Sequence, residues 1–459
     1  MFFKQIAVQG MGCLSYFIGC MRTRSACVVD PKRDVEDYLD IAYQYGMEID
    51  YIIETHIQED HVSGHQELKA RTEAGILMMK GTPAQFELEQ VRDGQVINMG
   101  DIDLMFLWTP GHTPYSMSVV VTDRSRGPYP CVVITGDSLL VGGVGRTDLA
   151  GEELIQEQIS SLYTSLHDRL GNLPADIEVC PSHGRGGLCS KNLESKTSST
   201  MGYEIKCNPF LNLSYEEFED RLSHERYLHP RSLCHIIYNN MEGPALLETR
   251  NVRKAMSPEQ VVACLAKGAI ILDTRDAASF AGVHIPGSVN IGNIRQSVTW
   301  TAMLIEPSSE IILLSQDEKT YDEMCTRLRR IGYDYILGYL YGGIEAWQEK
   351  GAPISQLWQY MPKTLAKRIE NNDYGHVFDV RTIEEYEAGH LKEAEFLALQ
   401  DLFEEFPNVP YEEEIIIVCG VGYRGNMAAS FLQRNGFKKV RGLAGGMKAW
   451  KKAGYPTVT

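Results

Sequence analysis

The last two hundred residues carry the same pattern twice, and this repeat constrains the fold more than any other feature. AIILDTRDAASFAGVHIPGSVNI, starting at Ala269, is matched by HVFDVRTIEEYEAGHLKEAEFL, starting at His376. Asp273 and Arg275 correspond to Asp379 and Arg381, and His284 to His390, each pair 106 residues apart. Each copy continues with a β-rich run (EIILLS from Glu310, EIIIVC from Glu414), a helical stretch, and a Gly-Gly shortly before a Trp: Gly342-Gly343 before Trp347, Gly445-Gly446 before Trp450. Strands alternating with helices predict a parallel sheet covered by helices, once per copy. With 459 residues in the chain and roughly 150 per domain, three domains are expected. We place them at 1–250 (the last forty or so residues a connector), 251–355 and 356–459.

Composition removes several function classes. Lys plus Arg total 44 against 61 Asp plus Glu, a net charge of −17, so a nucleic-acid binder, which needs basic surface, is not expected. No run of eighteen apolar residues exists, so no membrane-spanning helix is expected, and MFFKQIAVQGMG does not read as a secretory signal. The eleven cysteines form no CxxC pair. A chain of this size builds its core without staples, which predicts reduced thiols and a cytoplasmic location. Cys13, Cys20 and Cys27 read as small buried apolar residues.

Residues 1–200 follow a different grammar. Short β-like runs each end in a His or Asp: THIQEDHVSGH supplies His56, Asp60, His61 and His65, followed by Gly111-His112-Thr113, Thr135-Gly136-Asp137 and Pro181-Ser182-His183-Gly184. Imidazoles and carboxylates presented at several strand ends can converge on one divalent metal. These blocks resemble the metallo-β-lactamase fold, an αββα sandwich with its metal at one edge. VVDP at Val28, GHTPYS, GGVGRTD and HGRGGLC are most similar to its persulfide dioxygenase branch. That resemblance implies one Fe(II) per chain on His56, His112 and Asp137, with open positions for O₂ and substrate; zinc would enter on heterologous expression. Gln58 stands where the superfamily pattern has a second His. An amide is a poor metal ligand, which counts against a dinuclear zinc hydrolase and is tolerable for the oxygenase. Asp60, His61 and His183 would line the remnant of a second metal position. Arg146 reads equally as a cation for an anionic thiol carrier or as a bridge to Asp148. Cys189 is a further thiol close in sequence to His183.

In the second repeat, Cys419-Gly420-Val421-Gly422-Tyr423-Arg424 lies between a strand and a helix start. Loop amides and the helix dipole can stabilise a thiolate or persulfide there, and Arg424 adds a cation for an incoming anion. Set between DVR, GH and GGMKAW, this loop resembles a rhodanese domain, which carries sulfane sulfur on its loop Cys. Gly420 and Gly422 would shape the substrate cradle. In the first copy Ser315 replaces the Cys and Thr320 the Arg, and the glycines are absent. A hydroxyl cannot hold transferable sulfur as a thiolate does. The first copy is therefore expected to be a catalytically inactive pseudo-rhodanese, with Cys325 a packing residue.

Together these readings predict a multidomain α/β protein, an αββα sandwich followed by two rhodanese-like domains with parallel sheets. The expected function is oxidation of a low-molecular-weight thiol persulfide by O₂ to sulfite, coupled to sulfane-sulfur transfer with thiosulfate in sulfide detoxification. The expected partners are these small molecules, with no nucleic acid and no membrane; the oligomeric state, including a homo-oligomer, stays open. Two alternatives compete: a glyoxalase II-like zinc thioester hydrolase fused to a sulfurtransferase, and a sulfur carrier whose metal site has decayed.

Overall fold

In the computed structural model every residue is described except 9, 185–195, 226, 228, 248–253 and 295. The chain divides into two units, Met1–Asn251 with Arg329–Gly332, and Val252–Leu328 with Tyr333–Thr459.

The first unit is built on two six-stranded sheets. In one, Phe2–Ala7, Leu14–Gly19 and Ser25–Val29 run antiparallel, and Glu48–Ile53, Gly75–Met79 and Glu89–Val91 continue it in parallel. The other is centred on Ile102–Trp108, Met117–Asp123 and Pro130–Gly136. Leu14–Gly19 is buried along its whole length because its two faces enter different cores. Tyr16 and Ile18 meet Phe106, Val119 and Ile134 between the sheets, whereas Phe17, one residue out of phase, packs outward with Tyr38, Ile41 and Leu68. That is the two-residue period of a strand covered on both sides. The second sheet buries Val120 and Val133 against Ile159, Leu162 and Leu166 on its own outer face. The result is the four-layer αββα sandwich. Its functional loops leave the ends of Glu48–Ile53, Ile102–Trp108, Pro130–Gly136 and Glu178–Pro181.

The second unit contains two five-stranded sheets, all of whose pairings are parallel. Numbering the strands of each copy a to e in chain order, both have the spatial order a-e-d-b-c. The repeated residues turn out to be fasteners. Asp273 accepts from Arg275 Nε at 2.9 Å and Nη2 at 2.6 Å, and Arg275 donates onward to the Val283 carbonyl at 2.9 Å. Asp379, Arg381 and the Gly389 carbonyl repeat this at 2.9, 2.7 and 3.1 Å. His284 stacks on Phe280 at 4.0 Å and His390 on Tyr386 at 3.6 Å. Trp347 and Trp450 donate to the carbonyls of Pro353 and Pro456. Among the described residues no helix is long and apolar enough to cross a membrane.

Candidate metal centre and sulfur-carrying loop

His56 follows the strand Glu48–Ile53, and its orientation is set by a short relay. The Thr55 hydroxyl donates to Asp30 at 2.8 Å, so it must accept from His56 Nδ1 at 2.9 Å. Asp30 also accepts from the Thr55 amide at 2.8 Å and from the Ser182 hydroxyl. Burial pushes the Asp30 carboxyl up to about 6, with Glu54 adding to the effect. His112 is fixed more simply, because its Nδ1 lies 2.9 Å from the Arg146 carbonyl, which can only accept. Gly145 makes room for this: a Cβ there would lie 2.1 Å from the Asp137 carbonyl oxygen and 3.0 Å from His112 Nδ1. In both rings the proton therefore sits on Nδ1. The two Nε2 lone pairs, both buried and without a hydrogen-bond partner, turn toward one space.

Two carboxylates share that space. Asp137 Oδ2 lies 3.7 Å from His112 Nε2, and Glu59 Oε2 lies 3.6 Å from His56 Nε2 and 3.4 Å from His112 Nε2. Two imidazole nitrogens and two carboxylates facing one buried space are a donor set suited to a divalent cation. Donors about 2.0–2.1 Å from one tetrahedral ion stand about 3.4 Å apart, and these separations fit. The residues present thus suit a divalent metal on His56, His112, Asp137 and Glu59, all fully buried. Glu59 was not singled out from sequence. Its signal was available, since it is the acidic residue inside the same THIQEDH block.

The remaining residues of the block serve this centre indirectly. His183 Nδ1 lies 2.7 Å from both Asp137 oxygens, and its Nε2 2.7 Å from Asp60. Both ring nitrogens thus face carboxylates, an arrangement satisfied by a doubly protonated ring. Asp60 also accepts from His61 Nδ1 at 2.9 Å and from the Cys13 thiol at 3.0 Å. Burial opposes its ionisation, but His183 and His61 outweigh this and hold its carboxyl far below the ordinary range. Cys13, Cys20 and Cys27 are buried, although Cys13 is a hydrogen-bond donor to Asp60 rather than an apolar filler. The Gln58 side chain is buried, with neither amide atom hydrogen-bonded. The loop beneath it is held by Asn240 from the helix Leu233–Glu242, which donates to the Gln58 and His61 carbonyls at 2.9 and 2.8 Å and accepts from the Ser63 amide. The connector thereby supports the metal loop, which no local pattern announced.

Of the two readings of Arg146, the geometry has the bridge. Its side chain is fully buried, bidentate to Asp148 at 2.7 and 2.6 Å, and lies over the Tyr227 ring. Its guanidinium is thus engaged inside the fold, while its carbonyl positions His112. Cys189 lies outside the described residues.

In the second unit Cys419 ends the strand Glu414–Val418, and the helix Tyr423–Arg434 starts four residues later. The Gly422 amide donates to its sulfur at 3.0 Å. Burial keeps the thiol above its ordinary range, while the amides of Gly425, Gly422 and Val421 and the Arg424 charge pull the other way. Gly446 lies against this loop. A Cβ there would approach the Cys419 carbonyl to 2.2 Å, and the next two amides, Met447 and Lys448, donate to the Cys419 and Gly420 carbonyls at 2.8 and 3.0 Å. Arg424 makes a bidentate pair with Glu385 at 2.6 and 2.7 Å, and this holds the Glu385 carboxyl down at about 2. Ser279 occupies the position of Glu385 in the first copy, so the Arg and its partner are replaced together.

Comparison with known proteins agrees with this architecture. The model of the metallo-beta-lactamase superfamily matches residues 8–183, and that of the rhodanese-like domain matches twice, at 257–350 and 361–453. The mitochondrial persulfide dioxygenase ETHE1 of Bos taurus is 31% identical over 44% of this chain and 73% of its own length. A hydroxyacylglutathione hydrolase of Polaromonas is 30% identical over 37% of this chain and 61% of its own. The crystal structure of a metallo-beta-lactamase from Staphylococcus aureus superposes with a TM-score of 0.67 at 29% identity, covering 74% of this chain and 98% of that one. The first unit is a metallo-beta-lactamase fold with a buried cluster suited to a metal, and the second holds a pair of rhodanese-like domains. The chain belongs to the persulfide dioxygenase family of that superfamily, in a fusion with tandem rhodanese-like domains.

Proposed function

We propose that the protein oxidises a low-molecular-weight thiol persulfide to sulfite at an iron site and exchanges sulfane sulfur through Cys419. The overall oxidation balances as RSSH + O₂ + H₂O → RSH + H₂SO₃, with four electrons passing from the terminal sulfur to O₂. The observation that carries this reading is the convergence of His56, His112 and Asp137, with both imidazole tautomers fixed so that each Nε2 lone pair faces one space. Fe(II) held there would supply the one-electron chemistry that O₂ requires. The protein's part is positional: Thr55 and Asp30 aim His56, the Arg146 carbonyl aims His112, and His183 holds Asp137 by its imidazole N–H.

At the second centre, Cys419 as thiolate would attack the outer sulfur of thiosulfate: Cys–S⁻ + S–SO₃²⁻ → Cys–S–S⁻ + SO₃²⁻. A thiol acceptor then regenerates it: Cys–S–S⁻ + RSH → Cys–S⁻ + RSSH. The amide of Gly422 faces the sulfur that carries the charge. The second product is the substrate of the oxidation, and one chain carrying both centres raises its effective concentration.

The deciding experiment is oxygen uptake by iron-loaded protein given several thiol persulfides, with metal analysis. About one iron per chain and uptake abolished together with iron retention in His112→Ala are expected. Two zincs per chain with thioester hydrolysis and no oxygen uptake would replace this reading with the hydrolase. Full uptake in His112→Ala would remove His112 from the ligand set.

A further inference from the structure

The geometry points to Glu59 as a fourth protein donor to the metal, one that sets how many coordination positions stay open and so which reactions the centre supports. This rests on the metal-site part of the proposed function. The observation behind it is independent of the His/His/Asp motif: Glu59 comes from a position the motif leaves variable, three residues after His56. Its Oε2 is nevertheless 3.6 and 3.4 Å from the two unpartnered Nε2 atoms, nearer to His112 than the Asp137 oxygen at 3.7 Å. The side chain is fully enclosed, 1% exposed.

Three consequences follow from counting donors. Two carboxylates against one divalent cation make the buried centre electrically neutral, which lowers the cost of enclosing it. Four donors complete the shell of a tetrahedral ion. A zinc-loaded centre would therefore have no water position left and would resemble a closed structural site rather than a hydrolase, which keeps one position open. An octahedral ion such as Fe(II) or Mn(II) instead retains two positions, the number that O₂ and a persulfide sulfur together need. Glu59 also lies beside Gln58, the amide in the place of the superfamily's second His.

The test counts water positions rather than turnover. Apo-protein is loaded with Mn(II), and water-proton relaxation gives the number of exchangeable waters on the ion. With four protein donors on an octahedral ion, the wild type should show about two, and Glu59→Ala about three, a rise of about 1.5-fold in relaxation enhancement. Asp at 59 is too short to span the gap, so Glu59→Asp should behave like Ala. Three waters in the wild type, unchanged in Glu59→Ala, would overturn the proposal. Should the variants fail to fold, the wild type decides alone: a crystal structure of the Mn(II)-loaded protein, with the ion located by anomalous scattering, should place a Glu59 oxygen at about 2.1 Å from it. A distance beyond about 3 Å would refute the assignment. Neither measurement uses oxygen uptake. A chain that fails as a dioxygenase yet shows two waters loses the functional reading and keeps this one.

Discussion

The two rhodanese-like copies share a scaffold, pinned by a few matched residues, and differ at the loop where sulfur would be carried. Both have the Asp–Arg fastener, the His stacked on the preceding helix, the Trp–carbonyl bond and the same strand order. In the second copy the loop rests on Gly446 and is held by two backbone bonds. In the first, the corresponding region is a cavity of about 460 Å³ lined by Ser315, Gln316, Asp317, Gly342 and Gly343. The scaffold is kept where the chemistry is not, so the repeated residues belong to folding and the differing ones to function. The first copy still has a structural task. The Asn290 amide donates to the Ser430 hydroxyl of the second copy at 3.1 Å, and Asn426 of the second copy donates to the Ala277 carbonyl. Both partners in the second copy lie on the helix that follows the Cys419 loop.

The harshest way to break the comparison is to remove the nucleophile that the second copy has and the first lacks. Cys419→Ser should lower thiosulfate sulfurtransferase activity by about 10³-fold or more, since a hydroxyl does not form a transferable persulfide. Oxygen uptake with a supplied persulfide should survive, because its ligands lie in the other unit. Sulfur transfer persisting in this variant, measured from thiosulfate to a thiol acceptor, would transfer the role to another cysteine, Cys189 being the next to test.

The fasteners test the shared half. Asp273→Ala and Asp379→Ala each leave a buried guanidinium without its carboxylate, and each should destabilise its copy by about 3 kcal/mol. Equal shifts in denaturant midpoint are expected from the two variants. A silent Asp273→Ala would mean that the first copy has relaxed structurally as well as chemically.

What was legible in the sequence follows the same division. Asp273 and Arg275, Asp379 and Arg381, Cys419 and the His56, His112 and Asp137 blocks stand out because each belongs to a local pattern, a strand end followed by a charged or nucleophilic residue. Glu385, Asn240 and Asp30 escaped because their roles come from convergence. Glu385 meets Arg424 from 39 residues away, and Asn240 meets Gln58 from 182. Arg146 was ambiguous for the same reason, since GRTD names both an anion-binding Arg and its nearest possible partner. Glu59 lay inside the motif but at a position the pattern leaves free.

The pH dependence of sulfur transfer sharpens the account of the active loop. The Arg424–Glu385 pair contributes fully above the ordinary carboxyl value of roughly 4.3. That contribution is lost only as pH falls through about 2, so the pair is constant from pH 6 to 9. Cys419 is the group that titrates, and burial holds it above its ordinary range. The rate should therefore still be rising at pH 9, by about tenfold per pH unit where attack by the thiolate limits it. A plateau reached near pH 7 would show that the amides and Arg424 outweigh burial in the working enzyme.

The smallest effect is expected at the position that corresponds to Cys419 in the first copy. The Ser315 hydroxyl accepts one bond, from the Thr274 hydroxyl at 3.0 Å, and the Thr274 hydroxyl also lies 3.2 Å from the Leu314 carbonyl. Ser315→Ala therefore removes one of two acceptors at a partly open site, and stability should change by less than about 0.5 kcal/mol. Sulfur transfer and oxygen uptake should each stay within about twofold of wild type, since the loop has no thiol to lose. Ser315→Cys carries the comparison further. A thiol placed there meets Gln316, Asp317 and Glu318 where the second copy has Gly420, Val421 and Gly422, so it gains neither the flexible amide cradle nor a cation corresponding to Arg424. In a Cys419→Ser background, Ser315→Cys should restore no sulfurtransferase activity. Recovery of more than about a tenth of the wild-type rate would mean that a thiol at the strand end is sufficient, and that the loop held against Gly446 contributes little.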